Sequence, residues 1–386
     1  MGVIRARPGR VTDWAAKSVG AAWRAFDLQL TTYAALLLAI GLVMAYTNSV
    51  EGSAVPLEAG TTFSRGLMWA AIAAVAFVFA TAFDYHWLKT LAWPIYGIQL
   101  GLLVLTLLIG DGIGGSARWV VIGPLTFQFS EIAKILMIIV LASYLSSHSR
   151  GLDSLRSILG ACLLVAPPLA LVMLQPDLGT SLVFGAILAG MLWMSGASLR
   201  WLSVIGTGVV AMAPIAWTYL LRDYQKERLS SFLDTNPDLQ GAGFQLNQAQ
   251  IAVGSGGFVG KGLTNGTQTQ GGFLPVQATD FVFATLAEEL GFIGGVVLFL
   301  LFVLLLWRVL VAGWRSKDAF GTLFAAGLAS MILFQLVVNV GMVLGVMPIT
   351  GIPLPFVTHG GASLVSMAAG LGILQSINIR QTRAAW

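Results

Sequence analysis

The stretch FVFATLAEELGFIGGVVLFLLFVLLLWRVLVA (residues 281–312) decides the fold class. It is far too long for a strand, and from Leu290 to Trp307 it carries no charge. About 20 such residues are what a helix needs to cross the hydrocarbon core of a membrane, so 281–312 is expected as one span. Asp280 stands at its mouth, and Glu288 and Glu289 lie inside it. Hydrocarbon excludes such groups unless they face protein or water.

The rest of the chain agrees. Of 386 residues, 57% are hydrophobic and 10% charged, against about 25% charged in a soluble domain; mean hydropathy is +0.83. Long unbroken apolar runs favour spanning helices over the short alternating strands of a barrel. About ten spans are expected, near 30–47, 64–83, 88–109, 130–147, 155–175, 178–196, 199–220, 281–312, 319–346 and 358–378. LQPDLGT (174–180) is the only joint between the fifth and sixth, so nine remains an alternative count. The fold class is therefore all-α and polytopic.

With both termini in the cytoplasm, fourteen Lys and Arg fall in inner segments and six in outer ones, with Lys134 in the fourth span. That bias follows the positive-inside rule. Residues 1–29 form a basic N-terminal segment, 30–380 one transmembrane domain and 381–386 a tail. Arg10, Lys17 and Arg24 recur every seven positions opposite Ala15, Val19, Ala22 and Phe26, the pattern of an amphipathic helix on an anionic leaflet; a solvated basic tail is the alternative. One cysteine, Cys162, and three scattered histidines offer no thiolate or H-E-x-x-H metal site. Nothing in the pattern points to nucleic acid.

On this topology Arg65, Arg118, Glu131, Asp177 and Asp280 converge on the outer face. Each has a plain structural explanation. Asp280 suits the N-cap of the eighth span, Glu131 and Lys134 suit an i, i+3 ion pair, and Arg118 beside Trp119 suits an interface anchor. Ala287, Gly291 and Gly295 form a small-residue ridge across which Glu288 and Glu289 would hydrogen-bond, a packing role. GSGGFVGKG (254–262) fails the phosphate-loop spacing and reads first as a hinge; a loop bringing backbone amides and Lys261 to a pyrophosphate is the sharper alternative. The outer segment 222–279 is long for a connection and shows a helical pattern near Phe244–Val253. Its amides suit sugar hydroxyls.

Four blocks carry a resemblance: GSARWVVIGPLTFQFSEIAK (115–134), QPDLGTSLVF (175–184), GSGGFVGKGLTNGTQTQGGFLPVQATDFVFATLAEELGFIG (254–294) and MPITGIPLPFVTHGGASLV (347–365). In sequence and order they resemble the SEDS family, the shape, elongation, division and sporulation proteins of bacterial wall synthesis. NGTQTQ, FLP and TGIPLPF resemble its elongation branch more than its division branch. Phe129, Val276, Ala278, His359 and Gly66 depart from the family's usual residues, yet no carboxylate is lost.

The resemblance implies a ten-helix peptidoglycan glycosyltransferase of the bacterial inner membrane. It implies polymerisation of lipid II, with a class B penicillin-binding transpeptidase and other elongation-complex membrane proteins as partners. By motif match Asp280 falls on the family's essential aspartate, and Arg65, Arg118, Glu131, Lys134 and Asp177 fall on cavity positions. Asp280 is then expected as general base or as ligand of a divalent cation (Mg or Mn), with Arg118 and Lys261 offsetting pyrophosphate charge. The rival functions are a lipid II flippase and a non-catalytic transpeptidase scaffold.

Overall fold

The computed structural model describes residues 25–50, 58, 60–110, 118–122, 125–148, 155–233, 242–274, 279–358 and 360–381. The amphipathic pattern of 1–24, the tail 382–386 and the departures Val276, Ala278 and His359 lie outside the described residues.

The chain runs α1 (Leu28–Val50), α2 (Thr62–Ala82), the short α3 (Tyr85–Thr90), α4 (Ala92–Ile109), strands β1 (Val120–Ile122) and β2 (Leu125–Phe127), α5 (Phe129–Ser147), α6 (Leu155–Leu174), α7 (Leu178–Met194) and α8 (Leu199–Ile215), which a π-helical turn (Ala216–Leu220) prolongs to spanning length. The outer segment contributes α9 (Asp223–Leu233), α10 (Ala242–Ser255) and α11 (Thr267–Gln270). Then follow α12 (Val282–Trp314), α13 (Ala319–Val343) and α14 (Gly361–Gln381).

Among the described residues nine helices are long and apolar enough to span a membrane. The remaining expected span, α7, has only 17 residues and rises about 25 Å, short of a core about 30 Å thick. The expected joint before it is real: α6 ends at Leu174 and Asp177 caps α7.

The chain is mostly helical, as expected, with one small addition: Val120–Ile122 and Leu125–Phe127 pair antiparallel, Val120 opposite Phe127, in a segment rich in strand-favouring Val, Ile, Thr and Phe. Phe127 packs edge-on against Trp69 of α2, 5.1 Å between ring centres.

In lipid, apolar faces gain little from leaving their solvent, so helices hold together by close packing. Helices α5, α13 and α14 form the interior and are largely buried, whereas α8 buries no residue. Helix α14 lies along α2 so closely that a Cβ at Gly372 would stand 2.6 Å from Phe77 O. At the edge away from the outer segment, Arg308 Nε donates to Asp27 Oδ2 at 3.0 Å, and Gln375 Nε2 donates to Asp27 O at 2.7 Å. One residue, Asp27, thus ties α1 to α12 through its carboxylate and to α14 through its backbone.

The stretch 281–312 is not one helix. Gly291 adopts φ 64°, ψ −162° inside it, a conformation open to glycine, and breaks α12 into Val282–Leu290 and the membrane-crossing remainder. The loop 256–262 seals the break. Lys261 N and Gly262 N donate to Glu288 O (3.1 Å) and Glu289 O (3.0 Å), while Phe292 N and Ile293 N donate to Gly257 O (3.0 Å) and Phe258 O (3.2 Å). Orphan carbonyls of one piece and orphan amides of the next, the groups every helix end exposes, are both satisfied. The Gly260, Lys261 and Gly262 amides of GSGGFVGKG are therefore used in the fold rather than for a phosphate.

Candidate active site

Helices α5, α7, α12 and α14 all begin around one cavity of about 160 Å³, lined by Arg118, Gln128, Glu131, Lys134, Asp177, Thr180, Asp280, Gly351 and Ser363 among others. Each contributes residues of its N-terminal end to the lining, which puts the positive end of a helix dipole beside that space. Four of them together make it a place for anions.

Asp280 enters just before α12. The N-cap of that helix is Phe281, with no side-chain cap bond, so the capping role expected for Asp280 does not hold. Its backbone is fixed instead: Asn339 Nδ2 of α13 donates to Asp280 O (3.1 Å) and to Ile352 O (2.8 Å). One residue earlier, Thr358 Oγ1 donates to Thr279 O at 3.2 Å. With the backbone held this way, the carboxyl is left to the cavity. Burial pushes it above the usual carboxylate range; Arg228, the Thr279 hydroxyl and Arg118 pull the other way, and Asp177 adds to the rise. A methyl group at Gly351 would lie 3.4 Å from Asp280 Oδ2 and 3.8 Å from Arg228 Nη1, so both side chains reach the same glycine.

Asp177 does what Asp280 does not. Its Oδ1 accepts from Thr180 N (3.0 Å), and its Oδ2 from Thr180 Oγ1 (2.9 Å) and Gln128 Nε2 (2.8 Å). Arg118 Nη1 stands 3.9 Å from Oδ1, which orients the guanidinium, while its Nε is buried without a partner among the described residues. Glu131 and Lys134 form the expected pair, Nζ to Oε1 2.7 Å, both almost wholly buried. Glu131 Oε2 has no partner among the described residues. Unmatched buried polar atoms are costly, and here they line a cavity that a polar ligand would fill.

Two of the expected residues stand elsewhere. Arg65 is exposed in the first turn of α2 and does not line the cavity. Lys261 is held by Glu288: its Nζ donates to Glu288 Oε1 (2.7 Å), Ser255 Oγ (2.7 Å) and Thr267 Oγ1 (2.6 Å). Glu288 also accepts from Gln268 N (2.9 Å) and Thr269 N (3.0 Å). The packing role read for the glutamates is thus corrected for Glu288, which grips the outer loop rather than a neighbouring membrane helix. Glu289 is fully buried beside it.

One residue was not read from the sequence. Arg228 of α9 lines a small recess beside the cavity with Arg118, Gln225 and Thr350. Gln225 Oε1 accepts from Arg222 N (3.0 Å) and its Nε2 donates to Pro176 O (3.5 Å), fixing α9 over the α6–α7 joint. The Q-x-x-R spacing, one turn on a polar helix, is the signal that was there to find.

Comparison with known proteins gives one consistent picture. Residues 28–383 match the family model for FtsW, RodA and SpoVE, described as cell cycle protein. The peptidoglycan glycosyltransferase MrdB of Escherichia coli K12 is 41% identical over 284 residues, 74% of this chain and 76% of the relative. Stage V sporulation protein E of Bacillus subtilis is 36% identical, covering 91% of this chain and 96% of that protein. Among solved structures, a chain from a peptidoglycan synthase complex that coordinates polymerization and crosslinking superposes with TM-score 0.79 at 31% identity, over 92% of this chain and 98% of its own. The crystal structure of the Thermus thermophilus rod shape determining protein RodA gives TM-score 0.69 at 30% identity, over 93% and 98%.

Proposed function

Because the chain belongs to the FtsW, RodA and SpoVE family of cell cycle proteins, we propose that the cavity around Asp280 is its active site and faces the outer side of the bacterial inner membrane. The chain is a multi-pass membrane protein and a peptidoglycan glycosyltransferase. Its substrate in this reading is lipid II, a disaccharide-pentapeptide on undecaprenyl pyrophosphate. Both termini lie in the cytoplasm, and 222–279 lies outside. The partner is a class B penicillin-binding transpeptidase, with other elongation-complex membrane proteins around it.

The observation that carries this reading is a carboxyl free of capping, raised by burial, set among four helix N-termini and two arginines. Asp280 takes the proton of the acceptor sugar hydroxyl as its oxygen attacks the anomeric carbon of the donor. The bond to pyrophosphate breaks, its electron pair leaves with the phosphate, and the anomeric centre inverts from α to β. Arg118 and Arg228 stabilise the charge that grows on the leaving group. No second carboxylic acid is needed, because pyrophosphate leaves without a proton, unlike the alkoxide of a glycosidase. Arg65 and Lys261, away from the cavity, belong to the entrance and the outer loop.

A divalent cation fits the site only in company with substrate. Among the described residues no three His, Cys, Asp or Glu cluster to hold one, and the ligands of Asp177 are already taken. Asp280 is the residue that would hold Mg or Mn carried in on the pyrophosphate, where the ion would offset phosphate charge.

A carrier's ionisable groups belong near the midplane, whereas on the topology expected from the sequence these lie at the outer edge of the spans. Purified protein with its transpeptidase is expected to polymerise lipid II. Asp280→Asn is expected to abolish glycan chains while leaving the complex intact, and a chelator to slow wild type if the cation takes part. Undiminished polymerisation by the variant would remove Asp280 from the chemistry.

A further inference from the structure

At the opposite membrane edge from the cavity, α5 and α6 leave an open groove of about 1000 Å³. Leu159, Leu163 and Ala166 of α6 form one wall, and Tyr144 of α5 lies across the groove near its mouth. Arg156 and His148 stand at the mouth. From Arg156 to Ala166 the helix rises about 15 Å, the depth of one leaflet of a core about 30 Å thick. The lining ends at Ala166, just before Pro167 and Pro168 inside α6.

The groove is built by specific residues. A Cβ at Gly160 would meet Tyr144 Oη at 1.9 Å, so glycine is what lets the ring lie there and donate to Ser157 O at 3.3 Å. His148 stacks on Tyr144, 4.4 Å between ring centres. Its Nδ1 donates to Tyr144 O at 2.9 Å and lies 3.1 Å from Ser147 Oγ, so Nε2 is the nitrogen that would donate to a phosphate, in the imidazolium form. Arg156 sits in the first turn of α6, where the dipole also favours an anion, and no carboxylate pairs with it among the described residues.

We propose that this groove holds one acidic phospholipid of the leaflet opposite the active site, its phosphate between Arg156 and His148 and an acyl chain along Leu159, Leu163 and Ala166. The charge at the mouth selects the lipid class. An uncharged lipid fits the wall and leaves the guanidinium unmatched, while a free phosphate fits the guanidinium and leaves the apolar wall empty.

Native mass spectrometry of the detergent-purified chain, titrated with phosphatidylglycerol or phosphatidylcholine, tests this. One phosphatidylglycerol is expected to be retained about fivefold better, the preference one surface arginine gives. Arg156→Glu is expected to reduce it to the phosphatidylcholine level. Leu163→Trp, which fills the wall and keeps the arginine, is expected to lower retention as well, and millimolar glycerol phosphate to displace nothing. Thermal unfolding and polymerisation should be unchanged in both variants. Equal retention of the two lipids, retention indifferent to both substitutions, or displacement by glycerol phosphate would each overturn the assignment. So would a co-purifying protein helix that excludes lipid from the groove.

Discussion

Asp280 and Glu288 show how little a residue's type says about its role until its surroundings are known. Both are carboxylates near one helix end, yet Glu288 accepts from a whole loop while Asp280 presents its group to a cavity. Because burial raises the Asp280 pKa, the base form is lost as pH falls through a value above the ordinary carboxylate value of about 4. The acid limb of a kcat/KM profile for polymerisation is therefore expected above that value. Arg228 is the strongest of the groups opposing the rise, so Arg228→Gln should move the limb higher still; an unmoved limb would separate Arg228 from Asp280. The same sign governs stability. An ionised Asp280 opposes folding at neutral pH, so Asp280→Asn is expected to keep or raise Tm, where loss of a helix cap would lower it. Glu131 and Lys134 behave differently. Removing one partner of a buried pair costs roughly 3–5 kcal/mol, so Lys134→Met should be markedly less stable, and Glu131→Gln on top of it should restore part of the loss.

At the scale of elements, the break in α12 matters most. A Cβ at Gly291 would stand 2.3 Å from Gly260 N, and the positive φ adds strain for any other residue. Gly291→Ala is expected to open the seal and expose the 256–274 loop to protease in an otherwise folded membrane domain. Glu288→Ala should do the same and destabilise by roughly 3 kcal/mol, since it leaves Lys261 and several amides without their acceptor; Glu288→Gln, which keeps one acceptor oxygen, should be milder. The sequence showed the glycines and the glutamates but not the break. Helical periodicity continues straight through Gly291, and the hydrogen bonds that make a break favourable come from residues about thirty positions away. A pattern local in sequence carries no sign of them.

For the whole molecule, packing is uneven, and stability should follow it. Gly372→Leu at the α2–α14 contact, where Phe77 O is 2.6 Å from the Cβ position, is expected to lower Tm by several degrees or prevent folding. Val210→Ala on α8, which buries none of its residues, should change it little. Apolar runs determined the membrane class and the order of the helices, because a span needs a length of greasy residues whatever its neighbours are, and the motif blocks singled out Asp280 as the candidate. The Glu131–Lys134 pair was legible too, being set by helical pitch alone. Only the tertiary structure decided which charges meet. It gathered four helix N-termini at one point, brought Arg228 from a loop helix to Asp280, and withdrew Lys261 to Glu288 and Arg65 to the surface. The physical reason is that an ion's partner is fixed by distances between elements, and in this chain those distances come from how small residues let helices approach and where a glycine lets one break.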